Sequence, residues 1–430
     1  MTAALLGFGI LLILLLAGFP VGFSMMAVGV AGTSALIGLE PALSIAAQTL
    51  VATVQQYELT VIPLFVLMGN LIASARLADD LFGAANAYIG HRRGGLAAAT
   101  IVACTGFSAV SGSSLATAAT MTRVALPAMR KFRYDPGFAA GSIAAGGTLG
   151  ILIPPSAALI LYGIITSQSI EQLFLAGVLP GLLGMLCYLG AVWLVTRRNP
   201  GHGPSGDVVD RAEKRRRLVK VWPTIALFTF VLGGLYVGAF AATEAAGIGA
   251  AGAFVIALAR RTLTVSGFVT VLIDSARTTG VLFGVLIGAL IFANLINLGR
   301  LPDLLSDWIL SLDLQVMTVV CLIMLIYLLL GCLLESISMM LLTVPVFFPV
   351  VSALGVDPIW FGIVVVVAIE ISLITPPVGM NLFVLRAVAP DVALSQVYRG
   401  VGPFVIADLV RLILLLAFPA IALMLPATMM

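Results

Sequence analysis

Two short polar stretches interrupt otherwise apolar sequence, and a Pro-Pro step follows each of them. Residues 111–114 read Ser-Gly-Ser-Ser and precede prolines at 154–155, and residues 335–338 read Glu-Ser-Ile-Ser and precede prolines at 376–377. Proline has no backbone N–H and blocks helix continuation, so each step leaves carbonyl oxygens unpaired. Hydrocarbon satisfies no free backbone group, so such breaks persist only inside protein or beside a wet cavity. Oxygen-rich pockets of this kind suit Na⁺, and half-helix N-termini suit a carboxylate.

Each polar stretch is predicted to form a hairpin tip that faces a helix break, which gives two candidate pockets. The first contains Ser111, Gly112, Ser113, Ser114, Gly147, Thr148, Pro154 and Pro155. The second contains Glu335, Ser336, Ser338, Thr375, Pro376, Pro377, Gly379 and Asn381. Na⁺ ligands are expected among Ser111, Ser113, Gly147, Glu335 and Thr375. Small residues that only pack helices together are the alternative explanation of the serines.

Two carboxylates lie deep in apolar sequence, where an ionisable side chain is costly and a functional role is the default hypothesis. For Glu335 three roles stay open: a cation ligand, a proton carrier, or a cap on the second limb of its hairpin. Glu370 either faces a cavity or pairs with a basic residue, for which Arg386 is the candidate. Asn70 and Asn294 occupy matched positions within apolar spans, and each is expected to hydrogen-bond a hairpin backbone, with direct contact to the substrate as the alternative.

The two Pro-Pro segments belong to a longer internal repeat. Residues 150–155 (Gly-Ile-Leu-Ile-Pro-Pro) return about 222 residues later as residues 372–377 (Ser-Leu-Ile-Thr-Pro-Pro). The Asp-Pro pair at 135–136 returns at 357–358 with the same offset. A membrane chain made of two related halves, each with a break in an apolar helix, has the sequence signature of a secondary transporter.

Composition places the chain in the membrane. Of its 430 residues, 61% are hydrophobic and only 10% are charged, whereas a soluble domain carries roughly 25% charged residues. Apolar runs long enough for a helix to span a bilayer recur from end to end. The predicted fold is therefore an all-α polytopic membrane protein, since a β-barrel would show shorter, alternating segments.

Each half is predicted to hold one re-entrant hairpin and one broken helix. These lie at 94–127 and 136–168 in the first half (1–196), and at 314–352 and 357–388 in the second half (222–430). An interfacial helix at 263–275, a separate span at 277–298 and a last span at 403–425 are expected in the second half.

Charge predicts the orientation of the halves. The loop at 197–221 carries eight basic and three acidic residues, and cytoplasmic loops are rich in Lys and Arg. Counting spans outward from this loop puts the ends of the first hairpin inside and those of the second outside. The halves are thus predicted to be inverted relative to each other, with both chain termini on the outer side.

The sequence lacks the motifs of several other classes. It contains no Gly-Lys-Ser/Thr phosphate loop, no His-Glu pair and no cysteine cluster. Enzymatic activity, an organic cofactor and a nucleic-acid partner are therefore not expected. No Arg or Lys falls within either predicted pocket, so an anion would be recognised by backbone N–H groups, hydroxyls and amides.

These features resemble a known family, the large membrane subunit of TRAP transporters, which are tripartite ATP-independent periplasmic systems. The resemblance covers essentially the whole chain. It is most specific at residues 105–114 (Thr-Gly-Phe-Ser-Ala-Val-Ser-Gly-Ser-Ser), 150–156 (Gly-Ile-Leu-Ile-Pro-Pro-Ser) and 374–383 (Ile-Thr-Pro-Pro-Val-Gly-Met-Asn-Leu-Phe). Many relatives have an aspartate near the second tip, where Glu335 stands, so the extra methylene would alter any role of that carboxylate.

The resemblance implies an elevator-type permease of the inner membrane that moves a small organic acid inward together with Na⁺. The hairpins and broken helices would form the moving transport domain, and the other helices the fixed scaffold. A separate small membrane subunit and a periplasmic substrate-binding protein would be its partners. A self-sufficient Na⁺/divalent-anion symporter or exchanger is the alternative, followed by a channel. The sequence does not choose among sialic acids, C4-dicarboxylates, sugar acids and keto acids.

Overall fold

The part of the chain that the structure describes folds entirely into helices and their connections. The computed structural model describes residues 2–429, so Met1 and Met430, on which the predicted location of the termini falls, lie outside the described residues. No strand forms within residues 2–429, and seven helices there are long and apolar enough to cross a membrane. The predicted all-α polytopic fold is confirmed.

The helices of the first half are α1 Thr2–Leu16, α2 Val21–Ile37, α3 Leu39–Gln55, α4 Val61–Ser74, α5 Leu77–Ile89, α6 Gly95–Ser111, α7 Ser114–Lys131, α8 Pro136–Thr148, α9 Ala157–Thr166 and α10 Ile170–Arg198. Those of the second half are α11 Arg211–Tyr236, α12 Ala242–Ala259, α13 Val265–Leu298, α14 Leu301–Ser311, α15 Val316–Gly331, α16 Ser336–Ala353, α17 Pro358–Ser372, α18 Met380–Val388, α19 Leu394–Ala417 and α20 Ala420–Ala427. Short 3₁₀ turns cover Tyr57–Thr60, Leu149–Ile151 and Pro200–His202.

Two helical hairpins form, one from α6 and α7 and the other from α15 and α16. In the first, α6 and α7 meet at Gly112, whose φ of 57° suits a residue without a side chain. Ser113 is extended, and its hydroxyl oxygen accepts a hydrogen bond from the Ala116 N–H at 3.4 Å, which caps α7. In the second, α15 and α16 meet at residues 332–335, and the Glu335 carboxylate caps α16.

Two helices are broken where the Pro-Pro steps occur. The first break covers residues 149–156, between α8 and α9, and the second covers residues 373–379, between α17 and α18. The Pro154–Pro155 and Pro376–Pro377 bonds lie inside these breaks, and both are cis. Because proline cannot donate to the preceding turn, the helix stops and its last carbonyls need other partners.

The helices that precede the two breaks begin in the same way. The Asp135 carboxylate accepts a hydrogen bond from the Phe138 N–H at 2.8 Å, and the Asp357 carboxylate accepts one from the Trp360 N–H at 2.9 Å. Each aspartate is followed by a proline at the first helical position, where the missing N–H costs nothing. The Asp-Pro repeat in the sequence therefore marks two matched helix starts.

Contacts between the halves come in exchanged pairs. Helix α8 of the first half packs on α19 of the second, and α17 of the second packs on α10 of the first. In the same way α7 packs on α18, and α16 packs on α9. A twofold relation between related halves produces such pairs. The opposite insertion of the halves in the bilayer stays a prediction.

The predicted separation between an interfacial helix at 263–275 and a span at 277–298 is wrong, because α13 is one continuous helix. Residues 265–298 contain no proline, and Asp274 and Arg277 lie exposed on the helix surface, so the polar segment does not interrupt the helix. In the first half the corresponding α3 and α4 do separate, and Pro63 lies in the first turn of α4, which is a position that tolerates proline.

Two other helices extend beyond their predicted bounds. Helix α11 begins at Arg211, so the last part of the predicted loop at 197–221 is helical. Helix α19 begins at Leu394, well before the predicted start of the last span at 403. In both cases the helix continues past the apolar run into polar sequence, which hydropathy alone does not mark.

Helices α2 and α13 approach each other through glycines. A Cβ atom built on Gly22 would lie 2.7 Å from the carbonyl oxygen of Gly284, and one on Gly288 would lie 2.2 Å from the carbonyl oxygen of Gly22. Small residues of this kind let helix backbones pack closely in membranes, where dispersion contacts replace the hydrophobic effect.

This packing predicts that Gly288→Ala destabilises the scaffold, because the new methyl group overlaps the α2 backbone. Overpacking of this kind costs about 1–3 kcal/mol. Thermal unfolding of the purified protein in nanodiscs measures the effect. Gly284→Ala is the matched control one turn away, where a Cβ would meet no atom within 4 Å. Equal melting temperatures for the two variants would contradict the close approach of α2 and α13.

Candidate functional site

The first hairpin tip lies directly on the first helix break. A Cβ atom on Gly112 would lie 2.7 Å from the carbonyl oxygen of Pro155, and one on Gly150 would lie 2.7 Å from the carbonyl oxygen of Ser113. Both contacts join backbone to backbone, so neither position has space for a side chain. The structure thus brings together the tip and the break of the first predicted pocket.

Side-chain hydroxyls hold this tip in shape. The Thr117 hydroxyl donates to the carbonyl oxygen of Ser113 at 2.8 Å, and the hydroxyls of Ser111 and Thr117 are 2.7 Å apart. Behind the tip, Gly147 packs on α7, because a Cβ there would lie 2.9 Å from the Cβ of Ala118. The Thr148 hydroxyl lies 2.9 Å from the hydroxyl of Tyr188 on α10.

Both hairpin tips line one cavity of about 270 Å³. The first tip contributes residues 111–116, and the second contributes residues 335–337. Asn70 of α4 and Thr278 of α13 add polar groups to its lining. No Lys or Arg is among the described residues that line this cavity. Apart from the Glu335 carboxylate, the polar groups that an anion would meet there are hydroxyls, amides and backbone groups.

Three helices begin at this cavity. Helices α7, α9 and α16 start at Ser114, Ala157 and Ser336, and all three residues line it. The first N–H groups of a helix lack partners within the helix and carry a partial positive charge. Helix N-termini are therefore suited to bind an anionic group without a basic side chain.

Glu335 serves as the cap of α16, one of the three roles left open by the sequence. Its carboxylate accepts hydrogen bonds from the N–H of Ser338 at 3.0 Å, from the hydroxyl of Ser338 at 2.9 Å and from the hydroxyl of Ser336 at 3.1 Å. The carboxylate also faces the cavity. The cap fixes the carboxylate at the tip, and a role as a cation ligand stays a prediction.

The second break lies elsewhere, since none of residues 375–381 lines the cavity shared by the tips. Pro376 and Pro377 are exposed, whereas Pro154 and Pro155 of the first break are buried. The Tyr398 hydroxyl donates to carbonyl oxygens of the second break, to that of Pro377 at 2.5 Å and to that of Val378 at 3.1 Å. The structure therefore does not gather the second predicted pocket into one cavity.

Other polar residues of the second break are engaged locally or with the opposite half. The Thr375 hydroxyl donates to the carbonyl oxygen of Ile371 at 2.6 Å. Gly379 adopts a φ of 64°, which turns the chain into α18. Asn381 is fully buried and donates through its amide to the carbonyl oxygen of Ala144 in α8 at 3.2 Å. Its Oδ1 atom has no hydrogen-bond partner among the described residues.

Glu370 is fully buried and pairs with Arg411 at 2.5 Å, so the predicted pairing with Arg386 is wrong. The second break separates α17 from α18, and Arg386 on α18 is exposed. Arg411 comes instead from α19, which packs on α17.

Arg411 and its second partner are the buried residues that sequence reasoning missed. Arg411 also pairs with Asp408 at 2.9 Å, and neither side chain is exposed. The Tyr188 hydroxyl donates to the Asp408 carboxylate. The sequence did contain a signal for this pair. Two residues of opposite charge, three positions apart within an apolar span, are typical of a buried ion pair.

Asn70 and Asn294 do not donate to a hairpin backbone, contrary to the prediction. The Asn70 amide donates to the hydroxyl of Ser275 at 2.9 Å, and the Asn294 amide donates to the hydroxyl of Thr49 at 3.0 Å. The two bonds form a matched pair: one joins α4 to α13 and the other joins α13 to α3. They cross-link α3, α4 and α13.

One surface ion pair joins the C-terminal end of the first hairpin to the loop that precedes α19. Arg130 at the end of α7 contacts Asp391 at 2.6 Å. The hydrogen bond from this guanidinium lowers the pKa of the Asp391 carboxyl below its ordinary value. Both side chains are about half exposed or more, so the pair contributes little stability.

The chain matches known proteins over most of its length. The family model described as "Tripartite ATP-independent periplasmic transporter, DctM component" matches residues 8–421. A C4-dicarboxylate TRAP transporter large permease protein of Pseudomonas aeruginosa is 38% identical over 87% of either chain. A sialic acid TRAP transporter large permease protein of Vibrio cholerae is 33% identical over 96% of either chain. Among solved structures, the YdaH transporter of Alcanivorax borkumensis shares the fold with a TM-score of 0.63, at 15% identity, over 88% of this chain and 89% of that one.

The buried ion cluster predicts a large loss of stability for Arg411→Met, because two carboxylates would stay buried without their cation. Breaking a buried pair from one side costs about 3–5 kcal/mol. Thermal unfolding and the yield of monodisperse protein measure it. Arg386→Met removes an exposed arginine and is the matched control.

Adding Glu370→Gln to Arg411→Met should restore part of the lost stability, since one uncompensated charge disappears. Equal stability of Arg411→Met and Arg386→Met would show that the cluster does not hold these helices together.

Proposed function

The chain belongs to the DctM component family of tripartite ATP-independent periplasmic transporters, and we propose that it is a Na⁺-coupled permease for a small organic acid. It would receive its substrate from a soluble periplasmic binding protein and work together with a small membrane subunit. The observation that carries this proposal is the cavity between the hairpin tips, where three helix N-termini and many oxygen atoms meet without a basic side chain.

The cavity supports a carboxylate as the transported group. The N–H groups at the starts of α7 and α9 would bind it, aided by the positive ends of the helix dipoles. Two relatives are named for C4-dicarboxylates and for a sialic acid, which are both organic acids. Backbone recognition favours acids as a class, so the choice of acid would rest with the binding protein.

Oxygen atoms near the tips and breaks support Na⁺ as the coupling ion. Ser111, Ser113 and Gly147 lie where the first tip packs on the first broken helix, and Glu335 lies at the second tip. Thr375 lies at the second break, which is partly exposed. Carbonyl, hydroxyl and carboxylate oxygens suit a small hard cation, and discontinuous helices supply them in other secondary transporters.

We assign the hairpins and broken helices, α6–α9 and α15–α18, to a moving transport domain. The scaffold would contain α1–α4 and α11–α13, which present Asn70, Thr278 and Leu282 to the cavity. The cavity thus lies between the two parts, where an elevator movement of the transport domain would carry substrate across. The basic start of α11 would face the cytoplasm, as the positive-inside rule predicts.

Uptake into proteoliposomes tests the function. The chain would be reconstituted with its small subunit, and binding protein loaded with a labelled C4-dicarboxylate or sialic acid would be added outside. Uptake should require an inward Na⁺ gradient and should stop when K⁺ replaces Na⁺. Uptake of equal rate in both salts would end the coupling proposal, and uptake without the binding protein would favour a self-sufficient symporter.

Two substitutions test the placement of the ion. Ser113→Ala and Thr375→Ala should each raise the Na⁺ concentration for half-maximal uptake about tenfold, as expected for one lost polar contact of about 1.4 kcal/mol. Thr122→Ala is the matched control, since its hydroxyl donates to a carbonyl within α7, outside the cavity. Na⁺ dependence that stays the same in both variants would show that the ion binds elsewhere.

A further inference from the structure

A chain of buried polar side chains joins the two broken helices. It runs from Thr148 at the end of α8, through Tyr188 on α10 and Asp408 and Arg411 on α19, to Glu370 on α17. We propose that this chain is a positioning network that couples the two breaks, so that Na⁺ bound at one changes the affinity for Na⁺ at the other. The inference rests on the proposed Na⁺ sites and adds the means by which they communicate.

The ends of the network are placed next to the breaks. Thr148 is the last residue of α8, and the first break begins at the next residue. Glu370 lies in the last turn of α17, which ends two residues later at Ser372. A change of backbone geometry at either break therefore moves an end of the network directly.

All five side chains of the network are fully buried. Electrostatic interactions there are much less screened than at the surface, so each contact strongly favours one geometry. Tight packing adds to this: a Cβ atom on Gly184 would lie 2.2 Å from an Arg411 guanidinium nitrogen and 3.0 Å from the Leu149 side chain. The Arg411 guanidinium is thus held between α10 and the start of the first break.

Tyr188 and Arg411 both direct hydrogen-bond donors toward the carboxylates. An ionised carboxylate only accepts, so the single proton of the Tyr188 hydroxyl goes to Asp408. The Thr148 hydroxyl lies 2.9 Å from the Tyr188 oxygen and 2.8 Å from the carbonyl oxygen of Ala145, and its single proton is shared between these two acceptors. Arg411 uses one guanidinium nitrogen for both Asp408 at 2.9 Å and Glu370 at 2.5 Å. Movement of any member of the network therefore weakens the contacts of its neighbours.

The network also crosses between the halves. Thr148 and Tyr188 belong to the first half, whereas Glu370, Asp408 and Arg411 belong to the second. Each half supplies one break, so the network is a direct polar connection between them. No residue of the network lines the cavity between the tips, which makes these residues positioning residues and not ligands.

Tyr188→Phe tests the coupling, because it removes one hydroxyl from the middle of the network and keeps the ring. Na⁺-dependent uptake would be measured for the full chain with its small subunit and binding protein. The Hill coefficient for Na⁺ should fall from above one to about one, and half-saturation should rise about fivefold, within the usual range of coupling between sites. The KM for substrate-loaded binding protein should change less than twofold.

Tyr162→Phe is the matched control. It also removes a hydroxyl from a fully buried ring, one that donates to the carbonyl oxygen of Pro358 at 2.7 Å and is outside the network. An equal decrease of the Hill coefficient in both variants would mean that the loss of any buried hydrogen bond reduces Na⁺ cooperativity. That result would overturn the proposal.

A double-mutant cycle measures the coupling between the two breaks, which would not change if the network had only a structural role. The effects of Ser113→Ala and Thr375→Ala on Na⁺ half-saturation should be non-additive in the otherwise unchanged chain and should become additive when Tyr188→Phe is present. Thr148→Val, which acts at the end of the network without touching a charge, should have the same consequence if Tyr188→Phe lowers the protein yield.

The outcomes separate this inference from the function on which it rests. Uptake by the unchanged chain that ignores Na⁺ would refute the Na⁺ sites and the network's role together. Cooperative Na⁺ dependence that persists unchanged in Tyr188→Phe and Thr148→Val would overturn the network alone and leave the permease function intact.

Discussion

The fold depends on how backbone groups are satisfied where helices stop inside apolar protein. At the first break the Leu152 N–H donates to the carbonyl oxygen of Leu149 at 3.3 Å, and the Ser156 hydroxyl donates to the carbonyl oxygen of Ile151. At the second, the Asn381 N–H reaches back across the break to the carbonyl oxygen of Leu373 at 3.1 Å. These bonds let the chain leave helical geometry at a depth where hydrocarbon would not tolerate it.

Both breaks must satisfy the backbone groups of an interrupted helix, but their surroundings differ. The first is covered by a hairpin tip whose backbone packs closely on it, and its prolines are buried. The second keeps its prolines exposed, and Tyr398 of α19 contacts its carbonyls. In any one conformation, an alternating-access carrier differs between its two related halves. The difference between the breaks therefore agrees with the proposed mechanism.

Sequence reasoning reached the elements whose signals are local. The Pro-Pro breaks and the two hairpin tips follow from residue chemistry within a few positions, whereas the Asp-Pro repeat was noted without its role as a pair of helix caps. It failed where long-range packing decides. Glu370 finds its partner 41 positions away because α19 packs on α17, and no local pattern chooses Arg411 over Arg386. The continuity of α13 depends on the absence of proline, which a hydropathy profile does not show.

In the candidate site, too, some features follow from local sequence and others depend on long-range packing. The tip at residues 111–114 and the break at 149–156 belong together, as their small residues and prolines predict. The second tip lines one cavity with the first tip, whereas residues 375–381 of the second break do not line it, and only the three-dimensional arrangement reveals this. The buried network of Thr148, Tyr188, Glu370, Asp408 and Arg411 draws on four helices, so the spacing of Asp408 and Arg411 on α19 reveals only part of it.

The central claim is that the cavity between the hairpin tips opens to each side of the membrane in turn. The most direct test is Ala116→Cys, at an exposed position that lines the cavity, in a variant without the four native cysteines. A membrane-impermeant thiol reagent would be applied from either face of reconstituted vesicles. Reaction should occur from both faces, and Na⁺ with loaded binding protein should speed it at one face and slow it at the other. Reaction from a single face under every condition would contradict the account.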